Sequence, residues 1–154
     1  MASIQESVNV GVPVRVAYDQ WTQFEEFPSF MEGVESVTQL DDTHLRWVAE
    51  LGGKRHEWTA EITEQHPDHR VAWRATDGKT NAGVVTFQPV ASDKTRITVQ
   101  MDWEAEDFAE KAGAAVGVDS GRVQGDLDRF KEMIESRGAP TGAWRGNVEE
   151  PKSA

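Results

Sequence analysis

The stretch His44-Leu-Arg-Trp-Val-Ala-Glu-Leu51 decides the fold, because apolar and polar side chains alternate along it. Its odd-numbered residues are all apolar, and its even-numbered residues are mainly polar. Period-two alternation is typical of a β-strand that buries one face and exposes the other to water. The stretch therefore predicts a strand in a sheet that is covered on one side only.

The same alternation returns around Trp58, Trp73 and Met101, so the chain from residue 34 to residue 104 is predicted to be a run of strands. Short turn signals separate these strands; they are Asp41-Asp42, Gly52-Gly53, His66-Pro67-Asp68, Asp77-Gly78 and Ser92-Asp93. Strands joined by such short turns are antiparallel. We therefore expect a single antiparallel sheet of about seven strands, with residues 3–10 adding one of them.

Helical periodicity precedes and follows the strands. Pro13 stands at a favoured helix start, and apolar residues follow it at helical spacing as far as Phe24. The segment 27–31 is a short apolar turn or helix that ends at Gly33. The segment 107–137 carries an apolar helical stripe, which predicts a long helix across the apolar face of the sheet.

Four glycines recur at every fourth position in the first half of that long helix; they are Gly113, Gly117, Gly121 and Gly125. Each costs about 0.8–1.0 kcal/mol relative to alanine in a helix interior. Two interpretations remain open. The first is close packing on the sheet or a break near residues 117–121, and the second is a deformable helix face that admits a ligand.

The chain is expected to form one domain over residues 1–138, followed by a flexible tail over residues 139–154 in which Trp144 could dock on the body.

Composition excludes several classes of function. The 154 residues include 16 basic and 27 acidic side chains, a formal net charge of −11, which disfavours binding to nucleic acid or to anionic lipid. Cysteine is absent, so disulfides and thiolate chemistry are excluded. The sequence shows neither an apolar run of the ~20 residues that span a bilayer nor a signal peptide. We expect a cytoplasmic protein without stable membrane insertion, either a monomer or a homodimer.

Tryptophans converge on the apolar face of the predicted sheet. Trp47, Trp58, Trp73 and Trp103 lie on four different strands, and small residues such as Ala49, Ala75 and Gly83 share their face. Large rings beside small residues on a curved sheet predict an apolar ligand cavity, while a filled core is the alternative. The predicted lining residues are Trp47, Trp58, Ala60, Ile62, Trp73, Val85, Phe87, Met101, Trp103 and Val116.

Polar chemistry is sparse on this face. His56 is the best candidate for acid–base catalysis, although a surface position is the alternative reading. The turn His66-Pro67-Asp68-His69 has no third metal ligand nearby in sequence, so no metal site is predicted. The chain also has no phosphate-binding glycine loop or dinucleotide motif, and we predict no cofactor.

Three segments resemble those of a known family. They are Trp21-Thr-Gln-Phe-Glu-Glu-Phe-Pro-Ser-Phe-Met-Glu-Gly-Val-Glu35, Glu57-Trp-Thr-Ala-Glu61 and Gly125-Asp-Leu-Asp-Arg-Phe-Lys131. Together with the predicted order of elements, they resemble the polyketide cyclase/dehydrase and lipid-transport family of the START / Bet v 1-like (SRPBCC) superfamily. That family includes coenzyme-Q-binding START proteins. The resemblance covers about residues 3–137 and implies an α+β helix-grip fold, in which a curved sheet wraps around a C-terminal helix.

The resemblance also implies a function. Members hold a hydrophobic ligand between sheet and helix, and aromatase/cyclase members are thought to orient a poly-β-ketone with an arginine. Aligned on Trp58, that arginine's place is taken by Ile62. We therefore expect a protein that binds a planar or polycyclic hydrophobic molecule, such as a quinone, a polyketide or a lipid. The alternatives are a polyketide cyclase, aromatase or dehydratase acting in the same cavity with His56, and a module that grips a partner's segment.

Overall fold

A computed structural model describes residues 2–31, 33–51, 53–76, 81–103 and 120–146 of the chain. The elements follow in chain order: β1 (Ala2–Val10), α1 (Val14–Trp21), a 3₁₀ helix (Phe24–Ser29), β2 (Val34–Gln39), β3 (His44–Leu51), β4 (Lys54–His66), β5 (Arg70–Ala75), β6 (Asn81–Ala91), β7 (Lys94–Trp103) and α2 (Ser120–Arg137). The predicted turn Asp77-Gly78 and the predicted helical segment 107–119 lie outside the described residues.

The seven strands form one curled sheet in the order β1-β7-β6-β5-β4-β3-β2. Every neighbouring pair is antiparallel, and consecutive strands pair from β2 to β7. β1 instead pairs with β7, so the first and last strands of the chain lie side by side. The predicted antiparallel sheet of about seven strands is therefore confirmed.

The predicted division of the sheet into an apolar and a polar face is seen at β3 and β4. Leu45 opposes Ala60 across the two strands, and both are buried. Directly opposed residues of antiparallel strands share a face, so these side chains belong to the concave face. On the other face Arg46 forms an ion pair with Glu57 at 3.2 Å.

The helices close one part of the concave face. Pro13 is the N-cap residue of α1, as its position predicts. α2 packs along β1 and buries Leu127, Phe130 and Ile134. α2 ends where Gly138, with a φ of 72°, donates its N–H to the Ile134 carbonyl at 2.8 Å.

The core is an aromatic cluster where α1, the 3₁₀ helix and α2 meet the sheet. Trp21 lies at its centre, and its ring centroid is 5.1 Å from that of Phe130 and 5.4 Å from that of Phe27. Phe30 and Phe87 complete the ring contacts of Trp21. Edge-to-face packing of this kind fills the space between helices and sheet at this end of the molecule.

Residues 139–146, which we call the C-terminal strap, lie against α1. The Thr141 N–H donates to Gln20 Oε1 at 2.8 Å, and the Trp144 N–H donates to Thr22 Oγ1 at 3.1 Å. Arg145 forms ion pairs with Asp19 and Asp68. This part of the predicted tail is therefore held by specific contacts, whereas the domain boundary at residue 138 stays a prediction.

Neither α1 nor α2 is long and apolar enough to cross a bilayer, and the same holds for every other helix in the described part of the chain.

Candidate functional site

A pair of stacked tryptophans lies on the concave face. Trp47 and Trp58 oppose each other across β3 and β4. Their ring centroids are 5.8 Å apart, and the ring planes differ by only 5°. Both side chains are partly exposed, although the neighbouring Ala49 and Ala60 are buried. The pair therefore presents a large aromatic surface on the concave face.

Trp73 lies on the same face, two strands away from Trp47. It opposes Gly83 on β6, and Gly83 in turn opposes Met101 on β7. A Cβ built on Gly83 would lie 2.5 Å from Trp73 Cζ2, so the indole ring rests directly over this glycine. At this position the small residue makes room for the ring, while Trp73 and Met101 stay partly exposed.

Other predicted lining residues are buried within the packed core. Ile62, Val85 and Phe87 are at most 4% exposed. The Phe87 ring lies 5.4 Å from the Tyr18 ring, so α1 fills this end of the concave face. The Trp103 side chain and Val116 lie outside the described residues.

The structure thus sorts the predicted lining into two groups. Ala60, Ile62, Val85 and Phe87 are buried, and Trp47, Trp58, Trp73 and Met101 are partly exposed. The partly exposed group is the part of the predicted lining where an apolar ligand can find aromatic surface.

The position of His56 in β4 places this residue on the concave face of the sheet. It opposes Ala49, which is 1% exposed, and lies two residues before Trp58 on β4. Its side chain is partly buried. Within the part of the chain that the structure describes, no hydrogen bond or ion pair involves the imidazole. An imidazole beside an aromatic surface can donate or accept a hydrogen bond to a bound molecule and has the chemistry of a general acid or base.

Glu6 is an acidic residue that the sequence analysis did not place on this face. It opposes Val99 across β1 and β7, and Val99 belongs to the buried core cluster. Glu6 is partly buried, whereas its neighbours Gln5 and Ser7 are exposed. No described contact pairs its carboxylate. The sequence did contain a signal for this position. Residues alternate between the two faces along β1, so Glu6 lies on the same face as Ile4 and Val8.

Among the ionisable strand residues whose side chains the structure describes, Glu6 and His56 are the two that strand pairing places on the concave face. Charged residues of β3, β4 and β5 form ion pairs on the convex face, for example Arg74 with Glu61 at 3.0 Å. Such exposed pairs contribute about 0–1 kcal/mol each. Glu6 therefore shares the concave face with His56, although β5, β6 and β7 lie between their strands.

Gln65 is another polar residue that the sequence analysis did not place on this face, and here alternation gave no signal. The pairing of β4 with β5 shifts between Ile62 and Glu64, and Gln65 then opposes the buried Val71. Gln65 is 1% exposed and lies beside Tyr18, whose phenol has a raised pKa because of its burial. A bulge of this kind moves later residues to the other face, which strict alternation cannot predict.

A separate cleft of about 560 Å³ lies outside the sheet. It is bordered by Phe24 and acidic residues of the 3₁₀ helix, by the turn before β3, and by Trp144 of the strap. Asp41 in that turn has its pKa lowered to about 2, because it accepts hydrogen bonds from the Thr43 N–H and from His44. Asp41 thus serves the turn, while Glu25 accepts a hydrogen bond from the Gln39 N–H and Glu26 accepts one from the Thr141 hydroxyl.

The fold defines a class of protein: a curled seven-stranded antiparallel sheet with a C-terminal helix is the helix-grip arrangement of START / Bet v 1-like proteins. A sequence model of the family "polyketide cyclase / dehydrase and lipid transport" matches residues 10–132, and the chain belongs to that family. The resemblance noted from the sequence is thereby confirmed.

Similar proteins are known in several bacteria. The chain is 50% identical over 149 residues to an uncharacterized 17.2 kDa protein of Streptomyces lincolnensis, covering 96% of this chain and 99% of that one. The fold of the present chain is similar to that of the Zhui aromatase/cyclase from Streptomyces sp. R1128, with a TM-score of 0.76 and 14% identity. The match covers 93% of this chain and 99% of the Zhui chain. A START superfamily protein from Mycobacterium smegmatis has a TM-score of 0.71 at 12% identity, with coverage of 86% and 98%.

Proposed function

We propose that the protein binds a hydrophobic, planar or polycyclic small molecule, such as a quinone, a polyketide or a lipid, as a carrier or sensor. The observation that carries this proposal is the stacked Trp47–Trp58 pair, partly exposed on an apolar concave face. Exposed aromatic surface of this size is costly in water, and on a concave face it is typical of a ligand site. The proposed location is the cytoplasm, with the protein a monomer or homodimer.

The chemistry of the face favours binding over reaction. Planar ligands stack on indole rings with about 0.5–1.5 kcal/mol beyond the burial of area. Ile62, which stands where the resemblance places the arginine of aromatase/cyclases, is 2% exposed in the core. A buried aliphatic side chain cannot polarise a substrate carbonyl, so Ile62 does not supply that element of the reaction.

Titration with a naphthoquinone tests the proposal. We expect saturable quenching of tryptophan fluorescence, and Trp58→Ala should weaken binding roughly tenfold through lost stacking and burial. Val90→Ala is the matched control, because Val90 is 54% exposed on the sheet and should leave the affinity unchanged. Quenching without saturation, or equal effects of both substitutions, would argue against a site on the concave face.

A polyketide cyclase or dehydratase is the second candidate, and the specific observation in its favour is the pair of ionisable groups on the concave face. An enolising cyclisation needs a group that removes a proton and one that supplies a proton. His56 on β4 and Glu6 on β1 offer those two chemistries on the same face, with β5, β6 and β7 between them. The fold shared with the Zhui aromatase/cyclase is compatible with this candidate.

Turnover of an aromatic polyketide precursor separates the two candidates. If the protein is a cyclase, His56→Ala and Glu6→Gln should each lower the rate roughly 10²–10⁴-fold while the fold survives. If the protein is a carrier, no turnover is expected, and His56→Ala should change the ligand affinity by less than about tenfold, since one hydrogen bond contributes ~0.5–1.5 kcal/mol.

A further inference from the structure

The C-terminal end of α1 carries polar side chains that are nevertheless buried. Asp19, Gln20 and Thr22 are at most 5% exposed. Proteins bury polar groups where partners satisfy them, and an unpaired buried charge is especially costly. The strap contacts all three of these side chains. This surface of α1 is therefore complete only when a segment of chain lies on it.

The backbone of the strap sets its position along α1. The Thr141 N–H donates to Gln20 Oε1 at 2.8 Å. The Trp144 N–H donates to Thr22 Oγ1 at 3.1 Å. The Thr141 hydroxyl also donates to Glu26 of the 3₁₀ helix. Because the donors lie at two separate points of the strap, they fix which strap residue meets which residue of the surface.

Arg145 anchors the strap in a site for a guanidinium group. It pairs with Asp19 and, at 2.7 Å, with Asp68 of the turn before β5. The guanidinium carbon lies 5.6 Å from the centre of the Tyr18 ring. Two carboxylates and an aromatic ring offer charge-assisted hydrogen bonds and a cation–π contact, a combination that favours arginine. The surface therefore recognises an arginine directly after the backbone contact of Trp144.

The attachment of the strap does not include the apolar core. In the part of the chain that the structure describes, no strap residue belongs to the core cluster or to the apolar residues packed against it. The connection to α2 begins at Gly138, whose φ is 72°, and glycine changes φ at little steric cost. Segments with few buried apolar contacts open at a lower cost than the whole domain. The strap can therefore leave its site while the core stays folded.

We propose that the strap of a second copy of this chain occupies the same site, so that two copies exchange straps and form a dimer. Exchange of an identical segment keeps every contact of the strap, because strap and site are the same in both copies. On its own chain the strap has an effective concentration on the order of millimolar, so dilute wild-type protein should be monomeric. This inference is independent of the proposed ligand binding.

Two variants with complementary defects test the exchange. Arg145→Met keeps the site and removes the anchor of the strap. Asp19→Asn combined with Asp68→Asn keeps the strap and removes the carboxylates of the site. At roughly 200 μM, each protein alone should sediment as a monomer, and an equimolar mixture should contain a dimer, because one intact strap meets one intact site. A mixture that stays monomeric overturns the proposal.

A synthetic peptide of residues 139–146 gives a second measurement, which does not require the double variant to fold. The peptide should bind Arg145→Met and raise its melting temperature. The same peptide with the Arg145→Met change should bind at least about tenfold more weakly, since it lacks the charge-assisted hydrogen bonds. Wild-type protein should also bind the peptide at least about tenfold more weakly, because its own strap competes.

A peptide of the same composition in scrambled order is the matched control and should not bind. If the scrambled peptide binds as tightly as the strap peptide, the site does not recognise the strap sequence and the proposal is overturned. Absence of peptide binding to both the wild type and Arg145→Met overturns it as well.

Discussion

Gly83 shows at the scale of one residue how tightly the concave face is packed. A Cβ at this position would lie 2.5 Å from Trp73 Cζ2 and 2.9 Å from the backbone oxygen of Gln100. The backbone oxygen cannot move without disturbing the pairing of β6 with β7. The orientation of the Trp73 ring therefore depends on the absence of a side chain at Gly83.

Gly83→Ala is expected to destabilise the protein by about 1–3 kcal/mol, because the added methyl group overpacks this contact. Urea unfolding followed by circular dichroism measures the difference. The matched control is Gly125→Ala in α2, where the nearest atom is the mobile end of Arg129 at 3.3 Å. Since alanine favours a helix interior by about 1 kcal/mol over glycine, that change should stabilise the protein. If Gly83→Ala also raised the free energy of unfolding, the contact at Gly83 would not be overpacked by a methyl group.

At the scale of elements, one carboxylate ties the end of α2 to the end of β1. Glu135 Oε2 accepts a hydrogen bond from the Gly11 N–H at 2.7 Å and from Lys131 Nζ at 2.5 Å. These two donors, Lys131 first, lower the pKa of Glu135 below its ordinary value of 4.5. The carboxylate must therefore be ionised for the attachment to contribute fully.

Glu135→Gln should destabilise the protein at neutral pH by about 0.5–1 kcal/mol, since the pair is partly exposed. A folded-state pKa below 4.5 means that this stabilisation is present above pH 4.5 and is lost as the pH falls through the folded-state value. The difference between wild type and variant should accordingly shrink below pH 4.5 in urea unfolding series. Glu132→Gln on the same helix, at an exposed position, should show no such trend. A difference that stays constant at acid pH would contradict the role of the ionised group.

At the scale of the whole molecule, the strap connects α1 with the turn before β5. Arg145 lies between Asp19 of α1 and Asp68 of the turn before β5, with 2.7 Å between its Nη2 and Asp68 Oδ2. Its guanidinium also lies 5.6 Å from the centre of the Tyr18 ring. The Asp19 side chain is only 7% exposed, so the guanidinium of Arg145 replaces part of the solvent contact that its carboxylate has lost.

Arg145→Met should destabilise the fold by about 1–3 kcal/mol, because it leaves the buried Asp19 carboxylate with a weaker partner. Arg15, 3.8 Å from Asp19, supplies part of the remaining compensation. Adding Asp19→Asn should recover part of the loss, since the uncompensated charge is then removed. Arg55→Met is the control, because Arg55 is 63% exposed and its ion pairs are long. Thermal unfolding of the variants measures this destabilisation. If Arg145→Met had the same melting temperature as the wild type, the ion pairs of the strap would contribute nothing to stability.

The sequence by itself determined the alternation of the strands, the start of α1, the end of α2 and the family. Alternation at His44–Leu51 fixes which side chains share a face, because that depends only on the local period of a strand. Pro13 and Gly138 mark the start of α1 and the end of α2 for equally local reasons, a fixed φ in one and a left-handed φ in the other.

Only the tertiary structure decided how the concave face is filled. The pairing of β1 with β7 places Glu6 on the core side, and the shift in β4 brings Gln65 inward. α1 then packs Tyr18 against Phe87, which leaves Trp47 and Trp58 as the partly exposed aromatic pair. These features depend on strand register and on contacts between residues far apart in the chain. The alternation of apolar and polar residues within one strand carries no information about either.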